Sequence, residues 1–226
     1  MDFILYLFTQ ILSQSDKLTA LAAPSAIVET ISPINTTESE LATHDLNLND
    51  RLTNPSGNKI FRDNILLYTS YLDTLDYPRY RVAKSFTEDE TLSSEFVLNS
   101  SETFAFHSQL LPEYQNITVK YLNLKLKSDE GFEFFGGLMA NGICHLASLM
   151  NWTAQDAGLT VVAPTNHSFY PIPDIPRQYG TSIYLLPQST LETQKQNLYI
   201  TNSYPFAVKF IFNLKDNILN LKIVKF

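Results

Sequence analysis

Between residues 143 and 157 the apolar side chains recur at helical spacing. Ile143, Leu146, Ala147, Met150, Ala154 and Ala157 fall on one face, the i, i+3, i+4 stripe that a helix buries. Asn141 or Gly142 can start this helix, and Gly158 stands where a C′ glycine ends one. On either side the period shifts to two. Leu122, Leu124 and Leu126 alternate with Asn123, Lys125 and Lys127, which predicts a half-buried strand over 117–127. Phe96-Val97-Leu98 leads through a turn at Asn99–Ser101 into the alternating Phe104 and Phe106. Shorter β-prone runs occupy 159–163, 182–186, 197–201 and 206–213. Lys215-Asp216-Asn217 turns the chain into a last strand, 218–226, with Leu219, Leu221 and Ile223 on one face, so the last two strands read as a β-hairpin. Pro164, Pro171, Pro173 and Pro176 impose an extended, turn-rich loop between them and the helix.

The pattern weakens towards the N-terminus. Residues 59–84 carry Ile65, Leu66, Tyr68, Tyr71, Leu72 and Leu75 at mixed helical spacings, which suggests a short helix stopped before Pro78. Residues 29–58 are rich in Thr, Ser, Asn and Asp without a sustained period and read as a linker. Residues 3–12 are an apolar run followed by Ala20-Leu21-Ala22, as in a signal peptide, and too short to span a bilayer. Asp2 and the lack of an early Lys or Arg fit a packed amphipathic helix equally well. The expected organisation is therefore a signal, anchor or helix over 1–28, a linker with a short helical segment over 29–84, and a domain over 85–226. The fold class is α+β: a mainly antiparallel sheet, one central helix at about 143–157 and a C-terminal hairpin.

Composition narrows the function. Apolar residues make up 44% of the chain, and 15 Phe with 12 Tyr favour strands. A formal charge of −7, with 16 Lys and Arg against 23 acids, argues against a sequence-independent nucleic-acid binder, which must replace phosphate counterions. The one cysteine, Cys144, excludes an internal disulfide framework and a multi-thiolate metal site. His107, Cys144, His145 and His167 match no standard zinc spacing, so no metal or other cofactor is expected.

Candidate chemistry concentrates around Cys144. A cysteine in the first turn of a helix meets unpaired N–H groups and the positive end of the dipole, which favour the thiolate. His167 follows after the run 159–163, and a strand returning beside the helix start would bring it to the sulfur as a base. Backbone N–H groups near Gly142 would then serve as oxyanion donors, and Gly136-Gly137 allows close backbone approach. His145 points about 100° around the helix from Cys144, so it either approaches the site from the flank or sits at the surface. Asp156 lies about 18 Å along the axis, too far to orient a histidine, whereas Asp174, in the proline-rich loop, stays a candidate that spacing does not decide. The plainer reading is that Cys144 is a small packed residue and His167 a loop histidine bonded to a carbonyl.

Residues 96–213 resemble the core of the VanW family. The residues that carry the likeness are Leu98–Phe106, then Gly136-Gly137 and Asn141-Gly142-Ile143-Cys144-His145, and then the helix ending in Ala157-Gly158-Leu159. His167-Ser168 before the proline-rich loop and Asn202-Ser203-Tyr204-Pro205 continue the order. The chain departs from the family pattern in a shorter glycine run, in His145 where the family has Gln, and in Gln178-Tyr179-Gly180 where it has Gly-x-Asp. The resemblance implies an envelope or extracellular protein, with the cytoplasm left open, and a link to glycopeptide resistance. Its expected partner is peptidoglycan or a stem peptide, with possible membrane association through the N-terminus. If the protein is an enzyme, Cys144, His167 and His145 are its catalytic candidates, for thiol acyl transfer or amide hydrolysis. Gly137, Gly142 and Ser168 then line the substrate or oxyanion site. The alternative is a non-catalytic cell-wall binding or scaffold module with a degenerate site.

Overall fold

The helical stripe read from the sequence does form the centre of the molecule. In the computed structural model, which describes residues 38–75 and 85–226, helix α2 spans Ile143–Asp156. Its apolar face, with Leu146, Ala147, Met150 and Ala154 at 0% exposure, is sealed in the main core. The helix ends in a Schellman arrangement: the Gly158 N–H donates to Gln155 O and the Leu159 N–H to Ala154 O. Gly158 has the positive φ, +75°, that this motif requires.

The remaining elements in chain order are β1 (Ser39–Asn47), α1 (Pro55–Tyr71), β2 (Leu92–Leu98), β3 (Thr103–Ala105), β4 (Val119–Lys120), β5 (Phe134–Phe135) and β6 (Leu138–Met139). After α2 come β7 (Thr160–Val162), α3 (Leu191–Lys195), β8 (Tyr199–Thr201), β9 (Val208–Lys215) and β10 (Ile218–Lys225). One antiparallel four-stranded sheet has the order β1-β10-β9-β2. A second has the order β4-β3-β8-β7, with β3–β4 parallel and the other pairs antiparallel. Strands β5 and β6 form a separate small hairpin. The fold is α+β.

The expected C-terminal hairpin is β9–β10, and its loop is Asp216-Asn217 with φ of +52° and +58°. Two left-handed residues match the right-handed twist of the flanking strands. Period-two burial holds along both strands: Val208, Phe210, Phe212 and Leu214 face inward from β9, and Leu219, Leu221 and Ile223 from β10. Phe96 of β2 stacks on its cross-strand partner Phe210 with centroids 4.6 Å apart.

Two expectations are corrected. The linker expected over 29–58 contains β1, which pairs along β10 and contacts α2. Its sequence, SELATHDLN, shows little apolar period because it is an edge strand with Leu46 as its one fully buried residue. Together with α1 it belongs to the same unit as the C-terminal residues, Thr37–Phe226, so no boundary falls near residue 84. The strand expected over 117–127 is a ladder only at Val119–Lys120. Leu122, Leu124 and Leu126 do alternate inward, but without strand partners, and Leu126 has a left-handed φ of +54°. The run 182–186 likewise forms no ladder. The signal, anchor or packed-helix alternatives for residues 1–28 and the stop before Pro78 lie outside the described residues.

Helix α1 sets the start of α2. The Asn64 side chain, 1% exposed, donates from Nδ2 to Glu133 O at 3.1 Å and Asn141 O at 2.9 Å, and accepts from the Glu133 N–H at 2.8 Å. Gly142, the N-cap of α2, has φ +105°, and a Cβ there would lie 2.7 Å from Phe61 O. Gly137 also has a positive φ, +89°, but a Cβ there would meet nothing within 4 Å. Gly142→Ala should therefore lower stability by about 1–3 kcal/mol from backbone strain, plus the cost of separating the helices. Gly137→Ala should show the strain alone. Equal losses in urea unfolding would contradict this close approach of α1 and α2.

Candidate functional site

One polar stripe on α2 builds the wall of the site. Cys144, Ser148 and Asn151 are spaced four and three residues apart, so they share a helix face. Each binds the segment 179–183, which runs on from a 3-10 turn at Arg177–Tyr179. Cys144 Sγ accepts from the Ile183 N–H at 3.4 Å and its thiol donates to Ile183 O at 3.6 Å. Ser148 Oγ donates to Cys144 O at 2.7 Å and accepts from the Thr181 N–H at 2.8 Å. Asn151 Nδ2 donates to Tyr179 O and Thr181 Oγ1, both at 3.0 Å. The same segment holds the next one: the His167 N–H donates to Gly180 O, and the Ser182 N–H to Thr165 O. His167 thereby reaches the start of α2, where its ring lies 6.3 Å from that of His145 between centroids.

Cys144, His145 and His167 all line one cavity of about 690 Å³. Leu52 and Phe61 close it from the α1 side, and Phe135, Gly136 and Leu138 of the β5–β6 hairpin from another. Phe169, Tyr170 and Tyr184 stand at its mouth, 76%, 56% and 40% exposed. Asn141, Ser182 and Gln196 add polar groups, and among the described residues no Asp, Glu, Lys or Arg lines it. Small-molecule sites have this character, mostly apolar with a few placed polar groups.

The electrostatics are those of neutral groups. Burial raises the Cys144 thiol to about 11, against the weaker opposing effect of its backbone hydrogen bonds. The geometry agrees, because a thiolate could not donate to Ile183 O and would face the negative end of that carbonyl. The thiolate expected at a helix start is therefore not favoured here: desolvation outweighs the dipole. No hydrogen bond joins Cys144 to either histidine; the ring of His167 bonds through Nδ1 to Tyr170 O at 3.0 Å. A carbonyl only accepts, so Nδ1 carries the proton, and burial holds this imidazole below its usual range. His145 is 4% exposed, and its imidazole makes no hydrogen bond, with Nδ1 sealed from solvent. Burial first, then the charges of Arg51 and His167, push it down to about 3.

The other sequence candidates separate. Gly142 lines the cavity as the N-cap of α2. Gly137 lies in the β5–β6 turn, outside the lining, and its positive φ serves the hairpin. The Ser168 side chain is also outside the lining; its carbonyl accepts from Arg177 Nη2. Asp174 pairs with the buried Arg51, which also donates to Pro173 O. It is thus committed to holding the proline-rich loop. Asp156 pairs with His44 at 2.7 Å, and His44 stacks on Trp152. His107 is buried, with Nε2 donating to Gln196 O and Nδ1 accepting from the Gln109 N–H. Among the described residues no three His, Cys, Asp or Glu side chains converge on a metal position, and no helix is long and apolar enough to cross a membrane. Sequence reasoning missed Arg51, Phe61, Phe135, Tyr184 and Gln196; they join the site only through tertiary packing, and no local pattern marks them. No family model, curated protein or solved structure matches the chain.

Two histidines buried in neutral form make stability depend on acid. His145 is lowered to about 3 and His107 to about 4, both from 6.5. As pH falls below 6.5 the unfolded chain takes up protons that the native state refuses, so stability is full above 6.5 and lost below it. From pH 6.5 to 4, His145 alone accounts for roughly 3 kcal/mol. Urea unfolding across this range should show His145→Phe flattening the acid slope. An unchanged slope would mean that His145 is not buried as a neutral ring.

Proposed function

We propose that the chain is a non-catalytic binding module of the bacterial cell envelope that seats an uncharged part of peptidoglycan or of its stem peptide in the α2 cavity. The envelope setting and the partner rest on the resemblance of residues 96–213 to the VanW family. The observation that carries the binding reading is the state of Cys144: a thiol bonded in both directions to the Ile183 backbone, with no hydrogen bond to an imidazole. A nucleophile needs an adjacent base or a lowered pKa, and here burial raises it. The uncharged lining favours a ligand portion without a carboxylate or an ammonium, because an unpaired charge loses its hydration on entry.

A second reading keeps the chemistry. Cys144, His145 and His167 share one cavity, and a ligand-induced shift would let His167 Nε2 take the thiol proton as sulfur attacks an amide carbonyl. N–H groups near Gly142 to His145 would then hold the oxyanion. Co-sedimentation with purified peptidoglycan sacculi separates the two. Under the binding reading wild type and Cys144→Ser bind within about twofold of each other, since the hydroxyl keeps both the donor and the acceptor. Loss of binding in folded Cys144→Ser, or cleaved or transferred stem peptide with wild type alone, would overturn it.

A further inference from the structure

We infer that the cavity recognises the N-acetyl group of an amino sugar, with His145 donating to the acetamide oxygen and His167 accepting from the acetamide N–H. The inference deepens the binding function proposed above and rests on it for the biological source of the ligand. Its starting point is a polar side chain left without a partner: the His145 imidazole is buried and makes no hydrogen bond. Such a group is costly to leave without a partner. Nδ1 is sealed, and the positive charge of Arg51 acts on this ring. An acceptor arriving at Nε2, the other ring nitrogen, selects the tautomer with the proton there. That nitrogen is not sealed, and the residue lines the cavity.

His167 has the opposite tautomer. Its Nδ1–H is bound to Tyr170 O, so its Nε2 carries a bare lone pair. The two rings stand 6.3 Å apart between centroids and nearly perpendicular, at 87°. The wall thus offers one donor and one acceptor, both neutral. A planar secondary amide has the complementary pair on opposite edges. A carboxylate lacks the donor and an ammonium lacks the acceptor, and each would enter a lining without a counter-charge.

The mouth selects a sugar as the carrier of that amide. Phe169, Tyr170 and Tyr184 are exposed beside the cavity, as flat apolar surfaces for the C–H face of a pyranose. Gln196 Oε1 accepts from Ser182 Oγ, which leaves the Gln196 NH₂ group for a ring hydroxyl.

The test is calorimetric titration near neutral pH with N,N′-diacetylchitobiose and with cellobiose, which has the same β-1,4 ring pair with hydroxyls in place of acetamido groups. Wild type should prefer the acetylated disaccharide by about tenfold or more, and the preference should collapse in His145→Phe, whose ring cannot donate. The ¹⁵N resonances of the His145 and His167 imidazoles in wild type give a second readout that needs no variant; they should move with diacetylchitobiose and not with cellobiose. Equal affinities, or a preference kept in folded His145→Phe, would overturn the inference. So would N-acetyl-alanine methylamide binding as tightly as the disaccharide, which would assign the cavity to peptide backbone. Sacculus binding without a disaccharide preference would overturn this inference and leave the envelope reading standing. A disaccharide preference without sacculus binding would do the reverse.

Discussion

The site depends on the docking of segment 179–183 along the polar stripe of α2. Cys144, Ser148 and Asn151 replace the ladder that this segment lacks, and they satisfy its backbone at Tyr179, Thr181 and Ile183. Buried backbone groups must find partners, and here helix side chains provide them. The segment in turn holds the backbone at Thr165 and His167. The position of the histidine, the state of the sulfur and one wall of the cavity therefore follow from three side chains on one helix face.

The same docking explains why the site is neutral. A sulfur that accepts from the N–H and donates to the C=O of one residue, Ile183, is kept as a thiol. His145 sits beside the buried Arg51, whose charge is matched by Asp174 in the proline-rich loop. Protonating His145 would add a second buried cation without a partner. At His145 desolvation, Coulomb repulsion and the positive end of the helix dipole all disfavour the cation, and at Cys144 desolvation outweighs that dipole, whose effect is typically below about 1 kcal/mol. Such a cavity suits hydrogen-bonded recognition of uncharged groups better than proton transfer.

Much of the fold was legible in the sequence, for a physical reason in each case. Helix α2 is buried along a full stripe, so its period survives in the residues. The β9–β10 hairpin carries both alternation and a two-residue turn. Strand β1 was hidden because an edge strand buries little, and its polar residues resemble those of a linker. Leu122, Leu124 and Leu126 show the limit of alternation: it reports which face is buried, not whether a neighbouring strand exists. The order of Cys144 and His167 along the chain pointed to one neighbourhood, and both line the same cavity without bonding to each other. Their protonation did not follow from that order, because burial and the Ile183 backbone, 39 residues along the chain, decide the state of the sulfur, and the Tyr170 carbonyl decides the tautomer of His167. His145 shares the cavity despite its 100° offset, because Phe61 and the β5–β6 hairpin extend the wall around the start of the helix.

The ionisation of the single cysteine tests this account most directly. With one cysteine in the chain, the Cβ resonance of protein ¹³C-labelled at cysteine reports Cys144 alone. The account requires a titration midpoint near 11, the same in wild type and in His167→Ala. A midpoint below about 8.5 that rises when His167 is removed would establish a Cys–His pair and contradict the account.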